Sequence, residues 1–459
     1  MYIYQLLNIF NYGMIEKEMY MKKCVCNMQK GIEMTLLIRN GHVIDPASRR
    51  DDIADVLVQD GIIVKVMPQI QEAADQQIDA AGCYVMPGFI DLHVHLRDPG
   101  FERKETVVTG AAAAAHGGFT TIVAMPNTKP VVDHADVVNY VHHKAASVTK
   151  VNVLQAGAIT KKMEGQQLAD IEKMVQAGSP AITEDGKSVM NAYLLQEAMK
   201  LANRLDIPVL SHCEDINLVN GGVVNADDNA WKSELPGITN SVENVIIIRD
   251  VQLARETGVK LHLCHCSTKE SVEIVKLAKA RGNRVSAEVC PHHFTLTSDD
   301  MVHGDTNYKM NPPLRTKEDV EALRQGLKED IMDVISTDHA PHTKEEKNDS
   351  MLRAPFGIIG LETAASLTYS ELVLGGYLTP MQMAEKMSCN PARVLGIDKG
   401  SLQEGKTADI VIFDPEKTYT IDASRFASRS RNTPFQGRTV TGAVRATIAG
   451  GEVIYQSGW

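Results

Sequence analysis

The sequence predicts an α/β protein in which a (β/α)8 TIM-type barrel carries a small β-sandwich-like domain. Eight short apolar runs that alternate with helical stretches predict the barrel, and polar residues follow many of these runs. Segments rich in β-formers, with turn signals between them, lie near both ends of the chain and predict the small domain. A chain of 459 residues is long enough for both units.

Residues 1–33 show neither helical nor strand periodicity. Their apolar patch, residues 2–10, has no basic residues before it and no clear small-residue cleavage site after it, which is not the pattern of a signal peptide. We therefore treat this segment as an N-terminal extension of unknown role, outside the predicted fold.

The small β domain is assigned to residues 34–86 and 396–459. Asn40-Gly41 and Asp60-Gly61 separate its first short runs, and both dipeptides are typical of two-residue hairpin turns, so we expect a hairpin at each. A similar β pattern returns at residues 409–413 and 446–451. We expect the two ends of the chain to share this domain.

Residues 87–395 are assigned to the barrel. Its apolar runs are short, as expected for parallel strands that helices cover, and the stretches between them have helical patterns. This number of strands favours a closed barrel, because a doubly wound sheet more often has fewer. The runs are 89–93, 120–124, 151–156, 181–183, 209–211, 260–264, 285–289 and 334–336.

Composition excludes several classes of protein. Lys and Arg total 47 against 58 Asp and Glu, so the formal net charge is −11, which argues against nucleic acid as a partner. No apolar run approaches the roughly 18 residues of a membrane-spanning helix, so no membrane partner is expected. The eight cysteines form no C-x-x-C pair, which predicts reduced thiols and a cytoplasmic location.

His93 and His95 stand at the end of the first barrel run. Residues i and i+2 of a strand share a face, so both imidazoles can point at one position. An isolated H-x-H pattern also arises by chance from surface or structural histidines. The place of this pair at a strand end, where barrel enzymes hold their chemistry, favours a metal site.

Ligand-type residues also follow later runs: Glu184 and Asp185, His212, His265 and Asp338. Taken singly, His212 is also compatible with a helix cap, His265 with a core histidine, and Asp338 with an N-cap or an ion pair. Together at one barrel mouth these side chains predict a metal site, and mixed imidazole and carboxylate ligands favour zinc.

The number of ligands predicts two Zn²⁺ per chain, because a catalytic zinc usually has about three protein ligands. Such a pair activates water and polarises an amide carbonyl, which predicts a hydrolase. The leaving nitrogen of an amide needs a proton, and we expect Asp338 to act as the general acid/base that supplies it. Glu184 and Asp185 point to opposite faces of their strand, so only one of them is expected in the site.

Several ordered motifs closely resemble those of type I dihydroorotases, in the amidohydrolase superfamily. DLHVHLRDPG at residues 91–100 and STDHAPH at residues 336–342 resemble the two signature segments of that family. MPNT at 125–128, MNPPLR at 310–315 and PFGI at 355–358 resemble further segments. The similarity extends from about residue 35 to the C-terminus.

The resemblance implies a role for each site residue. It implies that His93, His95 and Asp338 hold one zinc, that His212 and His265 hold the other, and that Asp185 bridges them. It implies that the substrate contacts are Arg97, Asn127, Asn311, His342 and the backbone of Phe356 and Gly357. Many amidohydrolases use a carboxylated lysine as the bridge, whereas this strand end carries a carboxylate, with Glu184 and Lys187 as the alternatives to Asp185.

A guanidinium matches a carboxylate with two parallel hydrogen bonds, so Arg97 suits an anionic substrate. The alternative for Arg97 is a structural salt bridge with Asp98 or Glu102. Asn127 and Asn311 are also compatible with turn or capping positions.

The implied activity is reversible hydrolysis of (S)-dihydroorotate to N-carbamoyl-L-aspartate in de novo pyrimidine (UMP) biosynthesis, by a hydroxide that two zinc ions activate. A hydantoinase or allantoinase is the nearest rival, but its substrates usually lack a carboxylate where Arg97 and the two asparagines would hold one. A catalytically silent relative that serves as a scaffold usually loses metal ligands, and none is missing here. The resemblance also implies a homodimer and allows association with aspartate transcarbamoylase.

Other conspicuous residues are predicted to be structural. These are His262 and the pair His292-His293, the thiols of Cys264 and Cys266, which we expect to pack in the core, and the charged run at residues 344–347, which we expect to form a solvated loop.

Overall fold

The computed structural model describes residues 34–458, so the predicted N-terminal extension lies outside the described residues. The strands in chain order are β1 Thr35–Asp45, β2 Arg50–Gln59, β3 Ile62–Met67, β4 Gln76–Asp79, β5 Tyr84–Pro87, β6 Phe89–Val94, β7 Phe119–Ala124, β8 Asn152–Gln155, β9 Gly157–Ala158, β10 Ile182–Thr183, β11 Val209–Ser211, β12 Val224–Asn225, β13 Gly237–Ile238, β14 Leu261–Leu263, β15 Val285–Val289, β16 Val334–Ile335, β17 Ile410–Thr420, β18 Thr439–Ala449 and β19 Glu452–Gln456.

Helices separate most of the barrel strands. The α-helices are α1 Val107–His116, α2 Ala135–Val148, α3 Ile171–Gln176, α4 Ala192–Arg204, α5 Ile216–Val219, α6 Asp228–Lys232, α7 Ser241–Thr257, α8 Lys269–Ala280, α9 Pro291–Thr295, α10 Lys317–Lys328, α11 Lys344–Lys347, α12 Ala364–Thr368, α13 Pro380–Ala384 and α14 Asn390–Leu395. None of the helices within residues 34–458 is long and apolar enough to cross a membrane.

Parallel strands form the barrel in two arcs, β6-β7-β8 and β9-β10-β11-β14-β15-β16. The arcs join at Ala156, since β8 ends one residue before it and β9 begins one residue after it. At the other seam Val94 pairs in parallel with His339, and the His95 N–H donates to the His339 carbonyl at 2.8 Å. The predicted barrel is therefore confirmed, and each of the predicted runs overlaps a strand.

A second sheet lies beside the barrel, with the strand order β19-β18-β17-β5-β1-β2-β3 and with β4 paired to β1. The two ends of the chain meet where β17 pairs antiparallel with β5. Its core is apolar and fully buried, with Ile38, Val56, Val85 and Ile410 in one cluster. The predicted sharing of one sheet by both termini is thus observed.

Only one of the two predicted hairpin turns is present. Asp60 and Gly61 have φ values of 50° and 81° and join β2 to β3 as predicted. The prediction for Asn40-Gly41 is wrong, because Asn40, with φ 58°, forms a bulge inside β1, and the chain turns between β1 and β2 only at residues 46–49. Asn-Gly supplies the left-handed backbone that both turns and bulges need, so the dipeptide alone does not separate them.

Residues 344–347, which were predicted to form a solvated loop, have a different conformation in the structure. This segment is the short helix α11, and it begins with a capping box between Thr343 and Glu346. Lys344 is exposed, but Lys347 is buried, with 7% of its surface accessible. The prediction is therefore wrong for Lys347, whose Nζ donates to the backbone carbonyls of Lys309, Pro355 and Gly357.

Candidate metal centre and active site

Four imidazoles and two carboxylates meet at the carboxyl ends of the barrel strands. They are supplied by β6 and by the residues just after β6, β10, β11, β14 and β16, and all of them are buried: His93, His95, Asp185, His212, His265 and Asp338. Because parallel strands end at the same rim of the barrel, residues distant in sequence come together there.

Asp185 lies at the centre of this group. Its Oδ1 is 3.0 Å from Nε2 of His93, 3.4 Å from Nδ1 of His212 and 3.8 Å from Nε2 of His265. Its Oδ2 is 3.3 Å from Nε2 of His95. One carboxylate oxygen therefore faces His93, His212 and His265, and the other faces His95.

Asp338 closes the group from the opposite side of the barrel. Its Oδ1 lies 3.1 Å from Nε2 of His95 and 3.5 Å from Nε2 of His93. His212 and His265 are also in contact, with 2.8 Å between Nδ1 of the first and Nε2 of the second.

The donor atoms suit metal ions. Nε2 of His93 and Oδ1 of Asp185 are buried, and neither has a hydrogen-bond partner although they lie 3.0 Å apart. Buried polar atoms without a hydrogen-bond partner are costly, and a cation bound by both atoms would satisfy them. Ligand-type atoms lie within 4.8 Å of one another in three sets that share His93. One set adds His95 and Asp338, one adds Asp185 and His265, and the third adds Cys264 and Glu288.

The electrostatics of Asp185 favour its ionised form. Burial by itself raises the pKa of this carboxyl, but the imidazoles of His93, His212 and His265 outweigh burial and hold the pKa well below its usual value. The same attraction acts on His93, where Asp185 and Asp338 overcome burial and raise the imidazole pKa well above its ordinary value. The site therefore carries carboxylates that a cation can bind.

Glu288 was missed by the sequence analysis and lies directly behind the metal-ligand candidates. It is fully buried on β15; its Oε1 is 2.9 Å from Nδ1 of His93, and its Oε2 is 2.9 Å from Nε2 of His262. Burial raises its pKa, but His262 and His93 together lower it below the usual value, so Glu288 is a carboxylate. A carboxylate that accepts from Nδ1 of a metal-binding histidine fixes the tautomer and ring orientation. The feature of the sequence that could have indicated this role is a glutamate inside a mostly apolar strand.

The alternatives to Asp185 lie elsewhere. Glu184 is bonded to Thr160, through the Thr160 N–H at 2.9 Å and through its hydroxyl. Lys187 donates from Nζ to the Met163 carbonyl at 3.1 Å. The strand alternation that placed Glu184 and Asp185 on opposite faces agrees with this arrangement.

Arg97 stands next to the metal-ligand candidates at the barrel mouth. Its Nε donates to the Pro341 carbonyl at 3.3 Å, and its Nη2 is 3.4 Å from Nε2 of His342. Asp98 instead pairs with Lys144 at 2.7 Å. Burial lowers the pKa of Arg97 to about 10, so the guanidinium stays cationic at neutral pH.

The two asparagines are each tied to a ligand or its neighbour. Oδ1 of Asn127 is 3.0 Å from Nδ1 of His95. Nδ2 of Asn311 donates to Oε1 of Glu214 at 2.8 Å, and Oε2 of Glu214 is 3.0 Å from Nε2 of His212. Glu214 was not singled out from the sequence, because its position two residues after His212 is unremarkable in a loop.

His342 and the turn at Phe356 and Gly357 form the wall beside Arg97. Nε2 of His342 donates to the Phe356 carbonyl at 2.9 Å. Burial and then the charge of Arg97 lower the pKa of His342 to about 2, so its ring is neutral. Gly357 has φ +146°, and a Cβ there would lie 2.7 Å from the Ala340 carbonyl oxygen, so the turn requires glycine.

Asn432 comes from the C-terminal part of the chain and holds this wall. Its Oδ1 accepts from the His342 N–H at 3.1 Å, and its Nδ2 donates to the carbonyls of Ala340 at 3.0 Å and Gly357 at 3.1 Å. No sequence pattern indicates this contact, because Asn432 is remote from the barrel motifs in the chain.

His262 and Cys264 are both buried near the metal-ligand candidates. His262 supports Glu288, as described above, and donates or accepts at Nδ1 with Ser286 at 2.9 Å. Burial raises the pKa of the Cys264 thiol to about 12, so the neutral thiol packs beside His93 and is not a thiolate. The cysteines that the structure describes are all free.

Comparison with known proteins agrees with this geometry. Residues 82–271 match the family described as "Dihydro-orotase-like", and residues 369–455 match the "Amidohydrolase family". The chain is 49% identical to a dihydroorotase of Pelotomaculum thermopropionicum, over 92% of this chain and 99% of that protein. It is 45% identical to a dihydroorotase of Clostridioides difficile, over 92% of this chain and 100% of that protein.

Solved structures of related cyclic amidases share the fold. An L-hydantoinase from Arthrobacter aurescens superposes with a TM-score of 0.83 at 27% identity, covering 93% of this chain and 97% of that one. A dihydropyrimidinase from Brevibacillus agri gives a TM-score of 0.80 at 25% identity, over 92% and 95% of the two chains. With identity of 44–49% to dihydroorotases over almost their whole length, the chain belongs to the dihydroorotase family of the amidohydrolases.

Proposed function

We propose that the protein catalyses the reversible hydrolysis of (S)-dihydroorotate to N-carbamoyl-L-aspartate, the ring-opening and ring-closing reaction of pyrimidine biosynthesis. One observation carries the proposal: a buried group of four histidines and two aspartates lies beside the cationic Arg97 in a chain of this family. The group suits hydrolysis of an amide, and the arginine suits an anionic ring.

The proposed metals are two Zn²⁺, one held by His93, His95 and Asp338 and one by His212 and His265, with Asp185 between them. The orphaned atoms of His93 and Asp185 and the mixture of imidazole and carboxylate donors support this assignment. When bound, such ions supply Lewis-acid activation of water and of the ring carbonyl.

Asp338 is the proposed general acid/base. Burial raises its pKa, but the imidazoles of His93 and His95 lower it below the ordinary value, so Asp338 is ionised and has a free carboxylate oxygen for the proton of water. In the hydrolytic direction water adds to the ring carbonyl carbon, and its proton passes to a carboxylate oxygen of Asp338. Asp338 then gives this proton to the ring nitrogen as the C–N bond breaks, and ring closure reverses these transfers.

The substrate's carboxylate is assigned to Arg97, with Asn127, Asn311, His342 and the turn at Phe356 and Gly357 around the ring. Arg97 has no carboxylate within salt-bridge distance among residues 34–458, so its charge is free to pair with an anion. The neutral ring of His342 sits against Arg97 without repelling it.

The test is turnover by the purified protein with dihydroorotate, hydantoin, dihydrouracil and allantoin as parallel substrates. We expect turnover of dihydroorotate, its loss on treatment with a strong chelator, and its return with added zinc. The structural similarity to an L-hydantoinase and a dihydropyrimidinase makes such an enzyme the second candidate. Turnover of hydantoin or dihydrouracil in place of dihydroorotate would support it. Arg97 favours the first candidate, because those cyclic amides carry no carboxylate.

A cytoplasmic homodimer is also proposed, together with association with aspartate transcarbamoylase. Analytical ultracentrifugation of the holoenzyme, alone and mixed with aspartate transcarbamoylase from the same cells, tests both. A monomer at micromolar concentration, or no heavier species in the mixture, would contradict the corresponding part.

A further inference from the structure

Two lysines lie buried beneath the turn that carries Phe356 and Gly357. Lys347 is 7% exposed and Lys309 is 2% exposed. Within residues 34–458, neither ammonium has a carboxylate at ion-pair distance; backbone carbonyls accept their hydrogen bonds instead. Buried ammonium groups are costly unless they are paired, so two such groups in one place need an explanation.

Lys347 connects this turn to the backbone of the same chain at Lys309. Its Nζ donates to the carbonyls of Lys309 at 3.2 Å, Pro355 at 3.1 Å and Gly357 at 3.1 Å. The Gly357 N–H in turn donates to the Lys309 carbonyl at 3.0 Å. One ammonium therefore ties together both ends of the Pro355–Gly357 turn and the backbone at Lys309.

Lys309 supports the same turn from below. Its Nζ donates to the carbonyls of Met351 at 2.5 Å and Leu352 at 3.4 Å. It also lies 4.6 Å from the centroid of the Phe356 ring, within the range of a cation–π contact. The two cations thus fix the backbone and the aromatic ring of this turn.

The turn is connected to the proposed anion-binding residues. The Phe356 carbonyl accepts from Nε2 of His342 at 2.9 Å, and this nitrogen is 3.4 Å from Nη2 of Arg97. A shift of the turn moves the partner that orients His342, and His342 stands directly against the guanidinium. Lys347 is therefore linked to the anion-binding residues, and the carbonyls that accept its hydrogen bonds do not belong to the metal-ligand candidates.

We propose that Lys347 is a positioning residue for the anionic substrate: its ammonium holds the Pro355–Gly357 turn in place for His342 and Arg97, and its unpaired charge favours a bound carboxylate. The proposal rests on the proposed function, because it takes the substrate to be an anion.

The charge on Lys347 depends on pH near neutrality. Burial, and then repulsion from Lys309, lowers its pKa to about 7, while Asp305 raises it slightly. His342 also senses this charge, and its ring is already neutral. The ammonium is present below about pH 7 and is lost as the pH rises through this value, so positioning weakens on the alkaline side. By linkage, a bound anion raises the pKa of Lys347 in return.

The experiment compares Lys347→Met with Lys347→Arg and with the matched control Lys344→Met, which removes an exposed charge from the same helix. For each holoenzyme, KM and kcat for dihydroorotate are measured from about pH 6 to about pH 9, with metal content determined in parallel. Loss of a charged hydrogen-bond donor predicts a KM for Lys347→Met that is about ten- to a hundredfold higher at the acidic end. We expect kcat to change much less and the metal content to stay at the wild-type level.

Two pH profiles separate positioning from a general structural role. In the wild type, KM should rise above about pH 7, whereas in Lys347→Arg, which stays cationic, the rise should be absent. An unchanged KM in Lys347→Met, or a wild-type pH profile in Lys347→Arg, would overturn the proposal. If Lys347→Met does not fold, the profile of Lys347→Arg still decides. If the wild type does not turn over dihydroorotate, the proposed function and this inference are both overturned. If the wild type is active but substitution of Lys347 leaves KM and its pH profile unchanged, only the inference is overturned.

Discussion

Glu288→Gln tests whether the carboxylate behind His93 tunes the proposed metal site. Oε1 of Glu288 accepts from Nδ1 of His93 at 2.9 Å and from the His265 N–H at 3.1 Å, and Oε2 accepts from Nε2 of His262 at 2.9 Å. A glutamine keeps one oxygen for His93 and His265. Its NH2 group then faces His262, which can accept at Nε2 and donate from Nδ1 to Ser286. The fold is therefore expected to survive.

What the variant loses is the negative charge beside the imidazole of His93. Outer partners of this kind are worth about 10- to 100-fold in metal affinity, or about 1.4–2.7 kcal/mol. We expect Glu288→Gln to weaken zinc binding by this factor, measured by competition with a chromophoric chelator, and to lower kcat/KM when zinc is limiting. Glu256→Gln, on the exposed face of α7, is the matched control. A competition curve that coincides with the wild type, with kcat/KM also unchanged, would refute the role given to Glu288.

Three further variants test other parts of the site. Arg97→Ala should raise KM for dihydroorotate by about thirtyfold or more, from the roughly 2–5 kcal/mol of a buried charge pair, while metal analysis shows the wild-type content; loss of zinc would mean a structural role. Arg315→Met removes a fully buried guanidinium that binds backbone and side chains around Glu243, so urea denaturation should show unfolding that is easier by about 3–5 kcal/mol, and an unchanged midpoint would contradict this. Asn432→Ala leaves the His342 N–H without its partner, so KM should rise by an amount equivalent to about 1–3 kcal/mol. Metal affinity, measured by chelator competition, should fall by less than this amount.

The barrel could be predicted because its signals are local. Each strand is a short apolar run, and His93, His95, Asp185 and Asp338 stand where such runs end, so strand periodicity and one rule of barrel architecture bring them together. Local signals also explain the failure at Asn40, where one backbone conformation serves two kinds of structure.

The supporting residues could not be predicted, because their contacts join distant parts of the chain. Glu288 reaches His93 across 195 positions, and Asn432 reaches His342 across 90. Lys347 was predicted to lie in a solvated, charged loop, because the residues around it in the sequence are also charged. It is buried because the chain at residues 355–357 passes over it. No periodicity or spacing within a window of sequence carries this information.

Backbone geometry adds a reason why these supports are needed. Arg97, His265 and Asp338 have φ values of 59°, 34° and 47°, in the left-handed region that non-glycine residues avoid at a cost of about 1–3 kcal/mol each. The chain turns sharply at these strand ends and so aims the side chains into the mouth. Such conformations persist only where the surroundings hold them, and the His265 N–H is held by Glu288.

One carboxylate therefore couples the side chain of His93 to the strained backbone of His265, and His262 fixes that carboxylate from behind. If this network acts as a unit, the effects of Glu288→Gln and His262→Gln on zinc affinity will not add, because once the charge of Glu288 is gone His262 has little left to orient. Zinc affinities of the wild type, both single variants and the double variant give the coupling energy, for which we expect a magnitude of about 0.5–3 kcal/mol. Additive losses would show that His262 acts independently of Glu288, and the two-sided support of the metal-ligand candidates would then have to be abandoned.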